Sequence, residues 1–209
     1  MESVFKNSSL FFGLDDDKIE RILNCITYKV MSYDKDVYLY ELSQGFKTII
    51  VAKGVVDMIS LDDDGKEIID NRFVKNSSVV YDFIKDERIL KTKTDSTLIY
   101  MNTQVIFSES KKNCKYRALF MENIIKSLNS SLNHLTFKLN LYSKTHLRDR
   151  IILFLKNEML NSNFIELKFN REDLAKYLAC NRSALSRELS LMEKDGLIEI
   201  RNRKIFIKT

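Results

Sequence analysis

Nine apolar or small residues run through positions 114–142 at spacings of 4, 3, 4, 3, 4, 3, 4 and 3: Cys114, Ala118, Met121, Ile125, Leu128, Leu132, Leu135, Leu139 and Tyr142. Four a/d heptads without Gly or Pro specify one long helix, and a stripe this narrow asks for a partner helix. The whole chain contains no proline. A second stripe, including Phe120, Ile124, Phe137 and Leu141, lies on another face and is expected to pack on the roll formed by the residues upstream. A single helix buried inside a monomer is the competing arrangement. The unbroken alternation favours a parallel dimer built on Met121, Ile125, Leu128, Leu132, Leu135, Leu139 and Tyr142.

Upstream of this helix the pattern is different. Leu10-Phe11-Phe12-Gly13-Leu14 is an apolar knot with a turn. Asp15, Asp16 and Asp17 then favour a helix start, and Ile19, Ile22, Leu23 and Ile26 make one stripe. From Tyr28 to Met101 short β-type runs take over: 37–40, 48–52, 55–60, 67–69 and 97–101. Gln44-Gly45, Lys53-Gly54 and Asp62-Asp63-Asp64-Gly65 separate them as turns. Several strands at this spacing suggest a small barrel or roll.

Downstream, residues 169–197 read as two short helices joined by a tight turn. Asn170 is an N-cap with Asp173 three residues on, and Leu174 and Leu178 face one way. Leu185, Leu189 and Met192 give the second helix its buried side, and Gly196 closes it. This is the pattern of a helix-turn-helix. Arg182, Ser183, Ser186, Arg187 and Ser190 fall on the opposite side. Arg can donate two hydrogen bonds to guanine O6 and N7, and Ser lets a helix approach a base edge. Ile165-Glu166-Leu167 reads as a short strand, and residues 197–207 as two strands around a basic tip, Arg203 and Lys204. Leu147, Ile151, Ile152, Phe154 and Leu155 form a preceding helix, with Arg148 and Arg150 expected on its wet side. Residues 143–146 form the expected hinge.

Charge supports the same division. Of the net +5, residues 144–209 hold all: 14 Lys and Arg against nine Asp and Glu, while residues 1–143 hold 20 of each. Counterion release at phosphates gives a basic segment its non-specific affinity for nucleic acid.

The run Asn181-Arg182-Ser183-Ala184-Leu185-Ser186-Arg187 resembles the Ser/Asn-Arg-x-x-x-x-Arg opening of the recognition helix in the Crp/Fnr family of bacterial transcription regulators. Leu-Phe-x-Gly-Leu at 10–14, Ile-x-x-x-Gly-x-Val from Ile50 to Val56 and Asp-Asp-x-Gly-x-Glu from Asp62 are similar to that family's sensor roll. The resemblance implies an α+β chain: a cyclic-nucleotide-binding-like β-roll (1–110), a dimerisation helix (111–143) and a winged helix-turn-helix (144–209). It implies that Arg182, Ser183 and Arg187 read bases while Asn170 and Arg171 touch phosphate. Arg203 and Lys204 are expected to add phosphate contacts from the wing. Ala179 stands where many members have Gly, and Ser183 where many have Glu. The expected partners are double-stranded DNA and a second copy of the chain. RNA polymerase and an unidentified small-molecule effector are further candidates, and no membrane is expected.

The nucleotide pocket departs from the family. Its Gly-Glu and Arg-small-small elements have no match in residues 76–93: Asp82 stands near the Glu place without a preceding Gly, and Arg88 is followed by Ile89-Leu90. Without a guanidinium fork the cyclic phosphate loses its bidentate clamp, so control by cyclic AMP is not expected. Lys91 and Lys93 read as exposed charges. Three distant cysteines form no disulfide framework and no iron–sulfur set. Two histidines, His134 and His146, make no metal site, so no cofactor is expected. No run approaches the roughly 20 apolar residues of a membrane span, and no signal pattern opens the chain, so the expected location is cytoplasmic. No acid/base or nucleophile constellation points to an enzyme. A signalling adaptor whose helix-turn-helix contacts protein is the alternative function.

Overall fold

A computed structural model describes residues 2–39, 48–80, 89–108, 115–159, 164–167, 169–202 and 204–208. The chain divides into two compact units, Met1–Ser60 with Asn71–Asn133, and Leu61–Asp70 with His134–Thr209.

The first unit holds α1 (Glu2–Asn7), a short 3-10 turn (Ser9–Phe11), α2 (Asp16–Leu23) and most of the roll. The Asp15 carboxylate accepts the Lys18 amide at 3.0 Å and so caps α2, as the acidic run suggested. The roll has two four-stranded sheets. One runs β1 (Tyr28–Tyr33), β8 (Ser96–Met101), β3 (Thr48–Lys53), β6 (Ser78–Val80). The other runs β2 (Tyr38–Leu39), β7 (Ile89–Thr92), β4 (Val55–Leu61), β5 (Glu67–Val74). The runs at 38–39, 48–52, 55–60, 67–69 and 97–101 lie in strands. Strands β6 and β7, three and four residues long, are too short for a period-two pattern to mark them. Tyr40, Gln44-Gly45, Asp82 and Arg88 lie outside the described residues.

Alternation in β3 and β8 divides their side chains between two cores. Ile49, Val51, Leu98 and Tyr100 pack between the sheets. Ile50, Ile99 and Met101 pack with Phe5, Leu10, Phe11 and the residues Phe120 and Ile124. Lys53-Gly54 turns with Gly54 at φ +88°, where a Cβ would lie 2.5 Å from the Asp95 carbonyl oxygen. Only glycine fits there. Lys91 is not an idle charge: its Nζ donates to the Tyr38 hydroxyl at 2.8 Å. Another short helix, α3 (Gln104–Phe107), follows β8.

The long helix is α4 (Arg117–Tyr142), 26 residues. Cys114 at the head of its seam lies outside the described residues. The second stripe packs on the roll as expected at Phe120 and Ile124, whereas Leu141 is buried in the second unit. Buried Asn123 donates from Nδ2 to the Leu10 and Phe12 carbonyls at 3.0 and 2.9 Å, fixing the apolar knot.

In the second unit α5 (Leu147–Glu158), α6 (Arg171–Tyr177) and α7 (Arg182–Lys194) surround a core of Ile151, Phe154, Leu155, Leu174, Leu185, Leu189 and Met192. A three-stranded antiparallel sheet, β10 (Ile198–Arg201), β11 (Lys204–Ile207), β9 (Ile165–Glu166), completes it. This is the strand pair and short strand expected of a wing.

Candidate nucleic-acid interface

Both helices of the reading motif begin and end on local chemistry. The Asn170 side chain accepts the Asp173 amide at 2.8 Å, so this residue is engaged as the cap of α6. At the far end, Ala179 N–H donates to Lys176 O at 3.3 Å and Cys180 N–H to Ala175 O at 3.0 Å. That pair of bonds is a Schellman closure, and it puts Ala179 at φ +50° where glycine is the usual occupant. Helix α7 closes the same way: Gly196 (φ +74°) donates to Glu193 O and Leu197 to Met192 O.

The faces of α7 are sharply divided. Leu185, Leu189 and Met192 are buried, while Arg182, Ser183, Ser186, Arg187 and Ser190 are exposed. Two guanidinium groups and three small hydroxyls therefore share one open helix surface. Ser190 Oγ donates to the Ser186 carbonyl at 3.1 Å, which keeps its side chain close to the helix. Lys204 is exposed at the start of β11, its Nζ 4.4 Å from the Phe164 ring centroid. Arg203 lies outside the described residues. Arg171 is half-buried, and burial pulls its guanidinium pKa down while Glu193 opposes the shift. Its Nη1 has no hydrogen-bond acceptor among the described residues.

Two arginines expected on the wet side of α5 are structural instead. Arg148 forms ion pairs with Glu188 at 2.6 Å and Asp195 at 2.8 Å, bracing α7 from its inner side. Arg150 donates to the Lys144 carbonyl at 2.9 Å and to the Leu178 and Ala179 carbonyls at 3.3 Å each. It thus ties the segment before α5 to the turn of the reading motif. The partners lie 6 to 47 residues away, beyond the reach of any helical spacing rule, so the sequence carried no signal for them.

A family model described as a Crp-like helix-turn-helix domain matches residues 149–209. The CRP-like protein Clp of Xanthomonas campestris pv. campestris is 25% identical over 216 residues, covering 97% of this chain and 93% of the relative. Residues 149–209 thus match a Crp-like helix-turn-helix domain, and the chain as a whole is similar to CRP-like transcription regulators. Solved structures agree on the fold of this regulator. The c-di-GMP responsive global regulator CLP of Xanthomonas campestris superposes with a TM-score of 0.68 at 23% identity, over 93% of this chain and 100% of that one. A mutant of CooA from Carboxydothermus hydrogenoformans gives 0.73 at 19% identity, over 94% and 88%. No helix among the described residues is long and apolar enough to cross a membrane.

Along α4 the stripe read from the sequence stands largely open. Ile125, Leu132, Leu135 and Leu139 are 55%, 60%, 45% and 63% exposed. Met121 and Leu128 are partly covered by the first unit's core, and Tyr142 is half-buried.

Proposed function

We propose that this Crp/Fnr regulator binds a palindromic operator as a homodimer joined along α4, with α7 of each protomer reading bases in the major groove. The exposed stripe of Ile125, Leu132, Leu135 and Leu139 carries the reading. Monomeric proteins rarely leave such a continuous apolar seam in water. Covering one large aliphatic side chain is worth about 1.5–3 kcal/mol, and a 3–4 repeat packs best on a copy of itself. Two-fold symmetry would then set the half-sites one helical turn, or a multiple, apart. In the functional division we assign, 1–110 senses, 111–143 dimerises and 144–209 reads DNA.

Within the reading surface, Arg182, Ser183, Ser186 and Arg187 meet base edges. Asn170, Arg171, Arg203 and Lys204 take phosphates. The orphaned Nη1 of Arg171 supports this role, since a half-buried guanidinium gains most from an anion that completes its bonds. Sedimentation and operator binding test the dimer: the double variant Leu132→Lys/Leu135→Lys should be monomeric and lose operator affinity by more than a hundredfold. A double variant that still sediments as a dimer removes α4 as the interface.

The missing Gly-Glu and Arg-small-small elements support a regulator outside cyclic AMP control. Calorimetry with cyclic AMP and cyclic GMP should show no specific heat, and micromolar binding would overturn this assignment. A similar structure is described as c-di-GMP responsive, which makes that dinucleotide the first effector to titrate. RNA polymerase is the partner through which such a regulator would act on transcription.

A further inference from the structure

Lys138 is a charged residue on the long helix with only 4% of its surface exposed. Its Nζ donates to the Ile69 carbonyl at 2.8 Å and to the Tyr177 carbonyl at 2.7 Å. The same nitrogen lies 3.8 Å from the Tyr177 ring centroid and 4.7 Å from that of Tyr142. Tyr177 ends α6, the first helix of the reading motif. A buried amine there donates to a helix-terminal carbonyl that has no partner within its own helix. Ile69 belongs to the segment that follows the acidic turn. One helical turn before Lys138, His134 Nε2 donates to the Asp70 carbonyl at 2.8 Å. Lys176 adds an ion pair with Glu67 at 2.7 Å.

The held turn is rich in negative charge: Asp62, Asp63, Asp64 and Glu67 stand against Lys66. Asp62, Lys66 and Glu67 line an open cleft of about 560 Å³ together with Ala179, Asn181 and Arg182. Phosphates approaching Arg182 therefore also approach the turn's carboxylates. Like charges at that range repel, so a turn held in place there would lower DNA affinity.

We propose that Lys138 is a positioning residue for DNA reading, clasping the acidic turn to the end of α6, and that proton uptake at the clasp releases the turn and frees the reading face. The proposal rests on the DNA-binding assignment above. Acceptance of a buried charge is costly, and burial pulls the Lys138 pKa down to about 7, with Asp70 opposing the shift. The groups facing it are Asp70 from β5, Tyr177 from α6, and His134 and Tyr142 from α4 itself. From α5, Glu158 acts on Tyr177 and His134, and Arg150 acts on Tyr142. In the open state the amine is in water, with an ordinary lysine pKa near 10.4. Closing therefore releases a proton between about pH 7 and pH 10, and the clasp tightens as pH rises, by up to about tenfold per pH unit. Acidification toward pH 7 loosens it.

Cys180 lines the same cleft and reports the opening. The full chain carrying Cys25→Ser and Cys114→Ser is labelled at Cys180 with a maleimide between pH 7 and pH 8.5. The rate is compared at each pH with Lys138→Met and Lys138→Arg, so that thiol ionisation cancels. Relative to either variant, the protein with Lys138 should label at least threefold more slowly at pH 8.5 than at pH 7. Its relative affinity for a fluorescein-labelled, mixed-sequence 30-base-pair duplex should fall by a similar factor. The Met-to-Arg ratio should stay flat, since neither side chain titrates in this range. Should Lys138→Met fail to fold, the Arg variant alone supplies the reference. A ratio independent of pH in both measurements overturns the clasp. A labelling ratio that moves while duplex binding does not overturns its role in DNA reading. Failure of the parent protein to bind any duplex at any pH, with labelling still pH-dependent, removes the DNA-binding assignment and leaves the clasp standing.

Discussion

At the scale of single residues, position on the reading face separates two kinds of arginine and lysine. Arg182 and Arg187 project from the open side of α7, opposite Leu185 and Leu189. Lys204 is exposed at the start of β11 in the wing, away from that helix face, and is the residue proposed to meet phosphate. Loss of a bidentate contact to guanine costs about 1–3 kcal/mol and relaxes one base pair per half-site. Loss of a phosphate contact weakens all sequences alike and lowers the salt slope by roughly one unit. Binding of Arg187→Ala and Lys204→Ala to a randomised half-site library at two salt concentrations should show these two signatures. Should Arg187→Ala keep the parent sequence preference, base reading passes to Arg182 and Ser183.

At the scale of elements, the turn of the reading motif is under a small backbone strain. Ala179 sits at φ +50°, in a region where a Cβ crowds the following carbonyl at a cost of about 1–2 kcal/mol. Gly at that site removes the crowding but adds disorder to the unfolded chain, worth roughly 0.5–1 kcal/mol. Ala179→Gly is therefore expected to stabilise the second unit by up to about 1 kcal/mol, read as a higher denaturant midpoint. A lower midpoint would show that Arg150, bonded to the carbonyls of Leu178 and Ala179, has already relieved the strain. The long helix α4 shows how one element serves two environments. Phe120, Ile124 and Leu141 are buried within the chain, while Ile125, Leu132 and Leu139 stay open. A stripe of spacing 3 and 4 was visible without coordinates because helical geometry fixes which residues share a face. The neighbours covering each face were not visible, since those are set by residues far away in sequence.

At the scale of the whole molecule, protonation joins the long helix to the stability of the second unit. Burial lowers the His134 pKa below its usual value, so the folded chain holds it neutral while the unfolded chain binds a proton near pH 6.5. The unfolded state then carries more protons below about pH 6.5, and stability falls as pH drops through that window. His134→Gln should flatten this part of the acid denaturation curve, measured between pH 6.5 and pH 5. An unchanged slope would place the acid sensitivity in carboxylates elsewhere. Lys138 acts in the same sense in the next window up, between about pH 7 and pH 10, so both groups make acid the loosening direction.

The sequence by itself determined the local structure of this regulator. Heptad spacing specified α4, Asn170 and Gly196 bounded the reading helices, and Leu185, Leu189 and Met192 fixed which face of α7 turns outward. These features follow from periods and caps that act within a few residues. The short strands β6 and β7 escaped notice because their hydrogen bonds, to β3 and to β2 and β4, stabilise them more than any pattern of their own. Only the tertiary structure decided the partners of the long charged side chains. It paired Arg148 with Glu188 and Asp195, bonded Arg150 to the Lys144, Leu178 and Ala179 carbonyls, bonded Lys138 to Ile69 and Tyr177 across 69 and 39 residues, and gathered Asp62 and Arg182 around one cleft. A long charged side chain has no periodicity to declare its place; it goes wherever distant carbonyls and carboxylates offset the loss of water.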